Sequence, residues 1–313
     1  RGKLRGLGLS TYLEVTAPVE TEMGGIRFDA DGGVTIITGT LDYGQGHAAP
    51  FGQVLHSYLG IPFEKIRLLQ GDSDELITGG GTGGSKSIMA SGGAIIEASG
   101  VVIEKAKKAA AHVLEAAVED IEFSNGTLTV AGTDRSISVI ELAAELRQSS
   151  TLPADVPDSL DVRLNHGGIP SAFPNGCHVC EVEIDPETGQ VVVVSYSMVN
   201  DFGILVNPLM VKGQSHGGVA QGLGQALMEH VAYNGDGQML SGSFMDYAMP
   251  RAGDLPYFAF GSHPVPATTN ALGAKGCGEA GCAGAMPAVM NAVVDALAEV
   301  RRALAGIFSV LEQ

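Results

Sequence analysis

Apolar and polar positions follow the same course twice along this chain. From Phe28 a polar Asp29-Ala30-Asp31-Gly32-Gly33 turn leads into the β-branched run Val34-Thr35-Ile36-Ile37-Thr38. A loop with Gly44-Gln45-Gly46-His47 follows, then a helical stretch to Leu59. From Val182 the turn Asp185-Pro186-Glu187-Thr188-Gly189-Gln190 leads into Val191-Val192-Val193-Val194. A loop ending near Asn207-Pro208 comes next, then a helical stretch with Gln221-Gly222-Leu223-Gly224. Each course predicts a hairpin turn, a strand, a glycine-and-glutamine loop and a helix. Two such units predict two pseudo-repeated lobes.

Between the units, residues 91–119 are Ala-rich, with Ile95, Ile96, Val102, Ile103, Ala106, Val113 and Leu114 at helical spacing. That spacing predicts a buried helix. Asn125-Gly126 between apolar flanks predicts a hairpin over 121–130. Residues 138–147 read as a short helix, and 287–310 as a terminal helix with Val289, Met290, Val293, Val294 and Leu297 on its apolar face. The polar segment 149–168, with Pro153 and Pro157, marks the lobe boundary: residues 1–150 form the first lobe and 151–313 the second.

Composition narrows the function classes. At 313 residues, 45% hydrophobic and 17% charged, the chain is a folded globular protein able to bury a large core. The net charge of −17 disfavours a sequence-independent grip on nucleic acid or an anionic membrane. The absence of Trp and the 5% aromatic content argue against a base-stacking surface. An anionic cofactor is still compatible, because backbone N–H groups can hold phosphate without Lys. No apolar run of bilayer length is apparent, and four cysteines in so long a chain suggest a reducing, cytoplasmic setting rather than a disulfide scaffold. The start at Arg1-Gly2-Lys3, without Met, reads as the middle or a processed piece of a longer protein.

Four glycine-containing loops carry polar side chains: 44–47, 79–87, 214–225 and 273–284. In Gly273-Ala274-Lys275-Gly276-Cys277-Gly278-Glu279-Ala280-Gly281 one carboxylate is flanked by glycines, each of which carries extra ordering entropy on folding. Such a run suits a bulky group approaching the backbone while Glu279 points at it as a base. It equally suits a helix start whose Glu complements the dipole, and the motif alone leaves both open. The 79–87 loop enters the Ala-rich helix as an anion site, but it lacks Walker A spacing. Cys177-His178-Val179-Cys180 and Cys277…Cys282 invite a zinc reading. Against it, 177 and 180 would face opposite sides of a strand, and Cys277 and Cys282 read as small fillers. His47 and His216 read as packing residues, and no serine sits in a nucleophile elbow.

Taken in order, the pieces resemble the molybdenum-cofactor-binding subunit of the xanthine dehydrogenase, aldehyde oxidase and aerobic carbon monoxide dehydrogenase family. They are Asp42-Tyr43-Gly44-Gln45-Gly46-His47, Gly83-Gly84-Ser85-Lys86-Ser87, Glu181 to Gly189, Asn207-Pro208, Gly213-Gln214, Gln221 to Leu227, Met245 to Arg251 and Gly273 to Gly281. The resemblance implies an α+β fold of two lobes built from repeated β-α-β units. It implies a molybdenum centre held through a pterin dithiolene, in the cytosine dinucleotide form usual in bacteria, with no protein metal ligand. Glu279 would be the base, taking the proton from Mo–OH as that oxygen attacks an electrophilic carbon of an aldehyde or N-heterocycle, with hydride passing to the sulfido ligand. Gln45 and Gln221 would bond the pterin, and Gly44, Gly46, Gly83, Gly84, Ser85, Lys86, Ser87, Lys275, Gly276 and Gly278 would line the cofactor.

The family's subunit is longer, and its N-terminal half has no counterpart here, so that half or a separate chain is an expected partner. Lys86 stands where many relatives have Arg, and Ile204 and Ala271 where Arg and Pro are common. Residues 301–313 also lack the usual closing Pro-rich segment. No C-x₄-C-x₂-C run occurs, so [2Fe–2S] and FAD would sit on partner chains. The alternative is a non-catalytic, cofactor-binding scaffold of the same fold.

Overall fold

The first hydrophobic course folds as a hairpin followed by a crossover. The computed structural model describes residues 2–149 and 151–311, apart from the side chains of 299 and 301–311. Arg1 and the last residues of the tail lie outside the described residues. The first half runs β1 (Leu4–Leu13), β2 (Val19–Phe28), β3 (Val34–Ile37), α1 (Ala48–Leu59), β4 (Ile66–Leu69) and α2 (Ser87–Val113). A small hairpin unit follows, β5 (Ile121–Ser124), β6 (Thr127–Val130) and β7 (Ser136–Ser138), then α3 (Val139–Gln148). The second half runs β8 (Val162–Ile169), β9 (Asn175–Ile184), β10 (Val191–Asp201), α4 (Pro208–Leu227), β11 (Phe258–Ser262) and α5 (Ala280–Leu311).

The echo in the sequence is an echo in topology. β2 and β3 pair antiparallel, and α1 returns the chain to β4, parallel to β3. β9 and β10 pair antiparallel, and α4 returns it to β11, parallel to β10. The sheets order as β4-β3-β2-β8 and β1-β9-β10-β11, giving the expected α+β architecture. Each outer strand, however, comes from the other half. β1 pairs with β9 from Leu4↔Ile184 to Leu13↔Asn175, and β8 pairs with β2. A boundary at residue 150 therefore does not divide the sheets. A strand's own pattern is silent about which sheet it joins, so this exchange was not visible in the sequence.

α2 lies on β2 and β8, and α5 occupies the same place on β1 and β9. The first core gathers Ile26, Ile36, Phe51, Leu55, Ile95 and Val102, and the second Val182, Tyr196, Met198, Leu223 and Val289. Contact between α5 and β1 is close enough to require glycine. A Cβ on Gly6 or Gly8 would sit 2.0 Å from the carbonyl oxygen of Ala292 or Ala288. α2 and residues 280–298 of α5 have the length and mean hydropathy of a membrane span, yet both pack along a sheet.

Three expectations shift. α2 begins at Ser87 rather than 91 and ends at Val113. α5 begins at Ala280 and takes Pro287 into its interior. Residues 214–225, grouped with the glycine loops although 221–224 also read as helical, lie inside α4. The glycines there serve helix packing: a Cβ on Gly218 would lie 3.0 Å from Gly281 Cα, and one on Gly222 2.7 Å from Ala285 Cβ. The Asn125-Gly126 turn forms as expected, with φ of 45° and 78°, and Ser138 caps α3 reciprocally with Glu141.

Candidate active site

Because α2 and α5 are equivalent, so are the loops that feed them, and these loops meet. Lys86 stands at the start of α2, with Ala90 N–H donating to its carbonyl at 2.9 Å. Glu279 stands at the same place before α5, with Ala283 N–H donating to its carbonyl at 3.0 Å. Gly276 crosses Ser85 so closely that a Cβ would fall 1.4 Å from the Ser85 carbonyl oxygen. Ser85 itself has a left-handed φ of 55°. Its Oγ donates to Glu279 Oε2, and the Glu279 N–H donates back to that Oγ.

A cleft of about 510 Å³ opens where the loops meet the starts of α1 and α4. Of the residues expected to form a site, Gly44, Gln45, Gly83, Gly84, Ser85, Ser87, Gln221, Lys275, Gly276, Gly278 and Glu279 line it. Gly46 and Lys86 do not. Gly46, at φ 76°, lies against Met210, whose Cε would be 2.3 Å from a Cβ there. The Lys86 ammonium approaches Gly80, and its charge acts on the buried Glu22 carboxyl.

Several of these residues already have partners within the chain. The Asp42 carboxylate accepts from the N–H groups of Gly44 (2.7 Å), Gly46 (3.1 Å) and His47 (2.8 Å). These donors outweigh burial and hold Asp42 below the usual carboxylate range. That loop is therefore already a satisfied anion site, and Gln45 turns its carboxamide oxygen to the N–H of Tyr43. The Lys275 ammonium is committed to Asp201 at 2.5 Å, both side chains being about nine-tenths buried. Burial pushes Asp201 up, but Lys275 and the N–H groups of Val265 and Gly203 hold it below its ordinary value. Gly276 also permits the close contact between its loop and Ser85.

Other wall residues escaped the sequence reading. Met210 and Gln214 join Gln221 on the cleft side of α4, and 214 and 221 are two helical turns apart. Grouping Gln214 with loop glycines, while only 221–224 read as helical, hid that stripe. Residues 202 and 204–207, which follow β10, form a mostly apolar wall.

His47 is buried and stacks on Phe51 at 4.9 Å, and burial lowers its pKa. His216 packs edge-on against Tyr257 and Phe258. The four cysteines are free thiols, and burial pushes Cys277 up to about 12. Among the described residues no group of three or more His, Cys, Asp or Glu side chains could hold a metal ion.

Residues 1–256 match the family model of the molybdopterin cofactor-binding domain. The chain belongs to this family. It is 36% identical over 310 residues to the nicotine 6-hydroxylase large subunit of Paenarthrobacter nicotinovorans, covering 95% of this chain and 38% of that protein. Similarity to the carbon monoxide dehydrogenase large chain of Hydrogenophaga pseudoflava is 31% over 309 residues, with the same coverage. The structure of quinoline 2-oxidoreductase from Pseudomonas putida 86 superposes with a TM-score of 0.82 at 32% identity, covering 96% of this chain and 40% of that one. The molybdopterin-binding chain thus spans about two-fifths of the length of these relatives.

The cleft fits the group the family binds. Gly44 and Gly83 present bare backbone, with no atom within 4 Å of where a Cβ would stand. The carboxamides of Gln45, Gln214 and Gln221 and the hydroxyls of Thr82, Ser85 and Ser87 share the same wall. Flat glycine surfaces beside carboxamides suit a pterin ring, and the start of α2 suits its phosphate.

Proposed function

We propose that this chain is part of the cofactor subunit of a molybdenum hydroxylase and that Glu279 is its base. When bound, the molybdenum cofactor, in the cytosine dinucleotide form, supplies the two-electron chemistry that hydroxylates an electrophilic carbon of an aldehyde or N-heterocycle. Gln45, Gln214 and Gln221 would pair with the edge of the pterin. Gly44, Gly83, Gly84, Ser87 and Gly278 would give it backbone and hydroxyl contact. Lys275 and Gly276 shape the loop from behind, and Ser85 orients the acid. Glu279 accepts, on a carboxylate oxygen, the proton released as oxygen enters the substrate. A positioned base of this kind contributes ~10²–10⁴-fold.

The observation that carries this reading is the placement of Glu279. It is the carboxylate in the cleft wall, fixed by Ser85 through both its side chain and its N–H. Electrons would leave to [2Fe–2S] and FAD on partner chains in a cytoplasmic complex, with no role for nucleic acid or membrane. Exposed Leu209, Phe244, Met245 and Tyr257 support a protein partner covering this chain.

The test is metal analysis and dye reduction on the complex purified with its partner chains. About one molybdenum per Glu279-bearing chain, with turnover of an N-heterocycle or aldehyde, is expected. Molybdenum without turnover would make the chain a scaffold, and neither would overturn the reading.

A further inference from the structure

His178 stands on β9, fully buried, in a hydrogen-bonded run that crosses β1, β9 and β10. Its Nε2 lies 3.1 Å from Asn200 Oδ1 and its Nδ1 2.7 Å from the Tyr196 hydroxyl, both partners being on β10. Tyr12, on β1, donates to the same Asn200 oxygen at 2.8 Å. A carboxamide oxygen only accepts, so His178 carries its hydrogen on Nε2. Burial lowers the His178 pKa more than the Asn200 bond raises it, so the ring is neutral and Nδ1 takes the Tyr196 hydrogen. Asn200 Nδ2 is buried without a partner among the described residues, which leaves the carboxamide held through its oxygen alone. In such a run every donor has one place, and removing a member strands a buried polar group.

Two glycines make room for the run. A Cβ on Gly176 would fall 2.2 Å from Asn200 Oδ1, and one on Gly284 2.4 Å from His178 Nδ1. Gly284 lies near the start of α5, just after Glu279. On the other side, the residues that follow Asn200 hold the segment before Glu279. Asp201 pairs with Lys275, and the Phe202 carbonyl accepts from the Lys275 N–H at 2.8 Å. The Ile204 N–H donates to the Gly273 carbonyl at 2.9 Å. His178 therefore touches the helix just after Glu279 and, through Asn200, the strip that holds the loop before it.

We propose that His178 is a positioning residue for the base: bonded between Asn200 and Tyr196, it fixes the separation between residues 273–275 and the start of α5, and so the direction in which Glu279 meets the cleft. The assignment rests on the role proposed for Glu279. His178 is outside the cleft lining and both ring nitrogens are engaged, so it carries no proton during turnover.

Three variants of the intact complex test this. His178→Phe keeps a ring beside Gly284 and removes both bonds. It should lose ~10–10²-fold in kcat with little change in KM or molybdenum content, as a misaimed group does. Adding Tyr196→Phe removes the stranded hydroxyl, so the melting temperature should recover while kcat stays low. His178→Gln can still donate to Asn200 and accept from Tyr196, and should recover most of the kcat. If His178→Phe alone fails to assemble, the double and Gln variants carry the test. A double variant with the parental kcat would make His178 merely structural and overturn the proposal. A Gln variant no faster than the double, or loss of molybdenum from the double, would overturn it too. Glu279→Gln separates this from the reading beneath it. If Glu279→Gln is inactive while the double variant turns over normally, only the role of His178 falls. If Glu279→Gln itself turns over normally, both fall.

Discussion

Ser85 Oγ donates to Glu279 Oε2 at 3.1 Å, and the Glu279 N–H returns a bond to the same oxygen at 3.1 Å. A helix start usually makes such a reciprocal pair with a residue three positions away. Here the two residues are 194 apart in sequence, so the start of α5 is capped by the loop of the other half. Glu279→Gln keeps an oxygen for Ser85 and removes the base. Cofactor content should stay nearly unchanged while turnover falls by ~10²–10⁴-fold. Metal analysis beside steady-state rates checks both, and loss of molybdenum would make Glu279 a structural residue.

The glycines of the two loops should separate cleanly in mutagenesis. Gly276→Ala places a methyl 1.4 Å from the Ser85 carbonyl, so the loops must part, at an expected cost of about 1–3 kcal/mol or more. Gly83→Ala meets nothing within 4 Å and should leave thermal stability within about 0.5 kcal/mol while cofactor loading drops. Equal melting temperatures for the two variants would contradict this division.

Lys275 and Asp201 form a buried pair, and removing one partner strands the other. Lys275→Ala should cost about 3–5 kcal/mol, and Lys275→Met with Asp201→Asn should recover much of it. The pH dependence follows from the depressed Asp201 carboxyl. Its contribution is full above the ordinary carboxylate value and is lost on acidification through the lower, folded value. Denaturant titrations between neutral and acid pH should show that slope in the parent and a shallower one in the double variant.

Both repeated units, the Asn125-Gly126 hairpin and the order of the glycine loops were legible because hydrophobic period and turn chemistry are local properties. Ten of the eleven expected site residues that reach the cleft do so for the same reason, being motif positions on loops or at helix starts, while Gln221 lies inside α4. What was illegible is long-range. Nothing near Gly276 announces that its neighbour is Ser85, nothing near Lys275 announces Asp201, and β1 does not say which sheet it will join. Gln214 was missed for a different reason: glycines chosen for packing α4 on α5 looked like loop glycines. Lys86 lies outside the cleft lining because a motif gives position in the chain but not the direction of a side chain.

Gly8 tests the seating of α5 on β1. Gly8→Ala sets a methyl 2.0 Å from the Ala288 carbonyl and should unseat α5, the helix that follows directly on Glu279. A drop in melting temperature together with lost activity is expected. Exposed Gly235, with nothing within 4 Å, serves as the control, and Gly235→Ala should change neither.

The exchanged edge strands also set a timetable for synthesis. β1 leaves the ribosome before its partner β9, which begins only at Asn175. At about 5–20 residues per second, β1 waits on the order of 10–30 s with its ladder unpaired. Through that interval Leu7, Leu9 and Leu13 stand on a bare strand, a template for association with other nascent chains. Neither sheet is complete until its exchanged strand has been made, so a holding chaperone acting on the segment between β1 and β9 should raise the yield of folded chain.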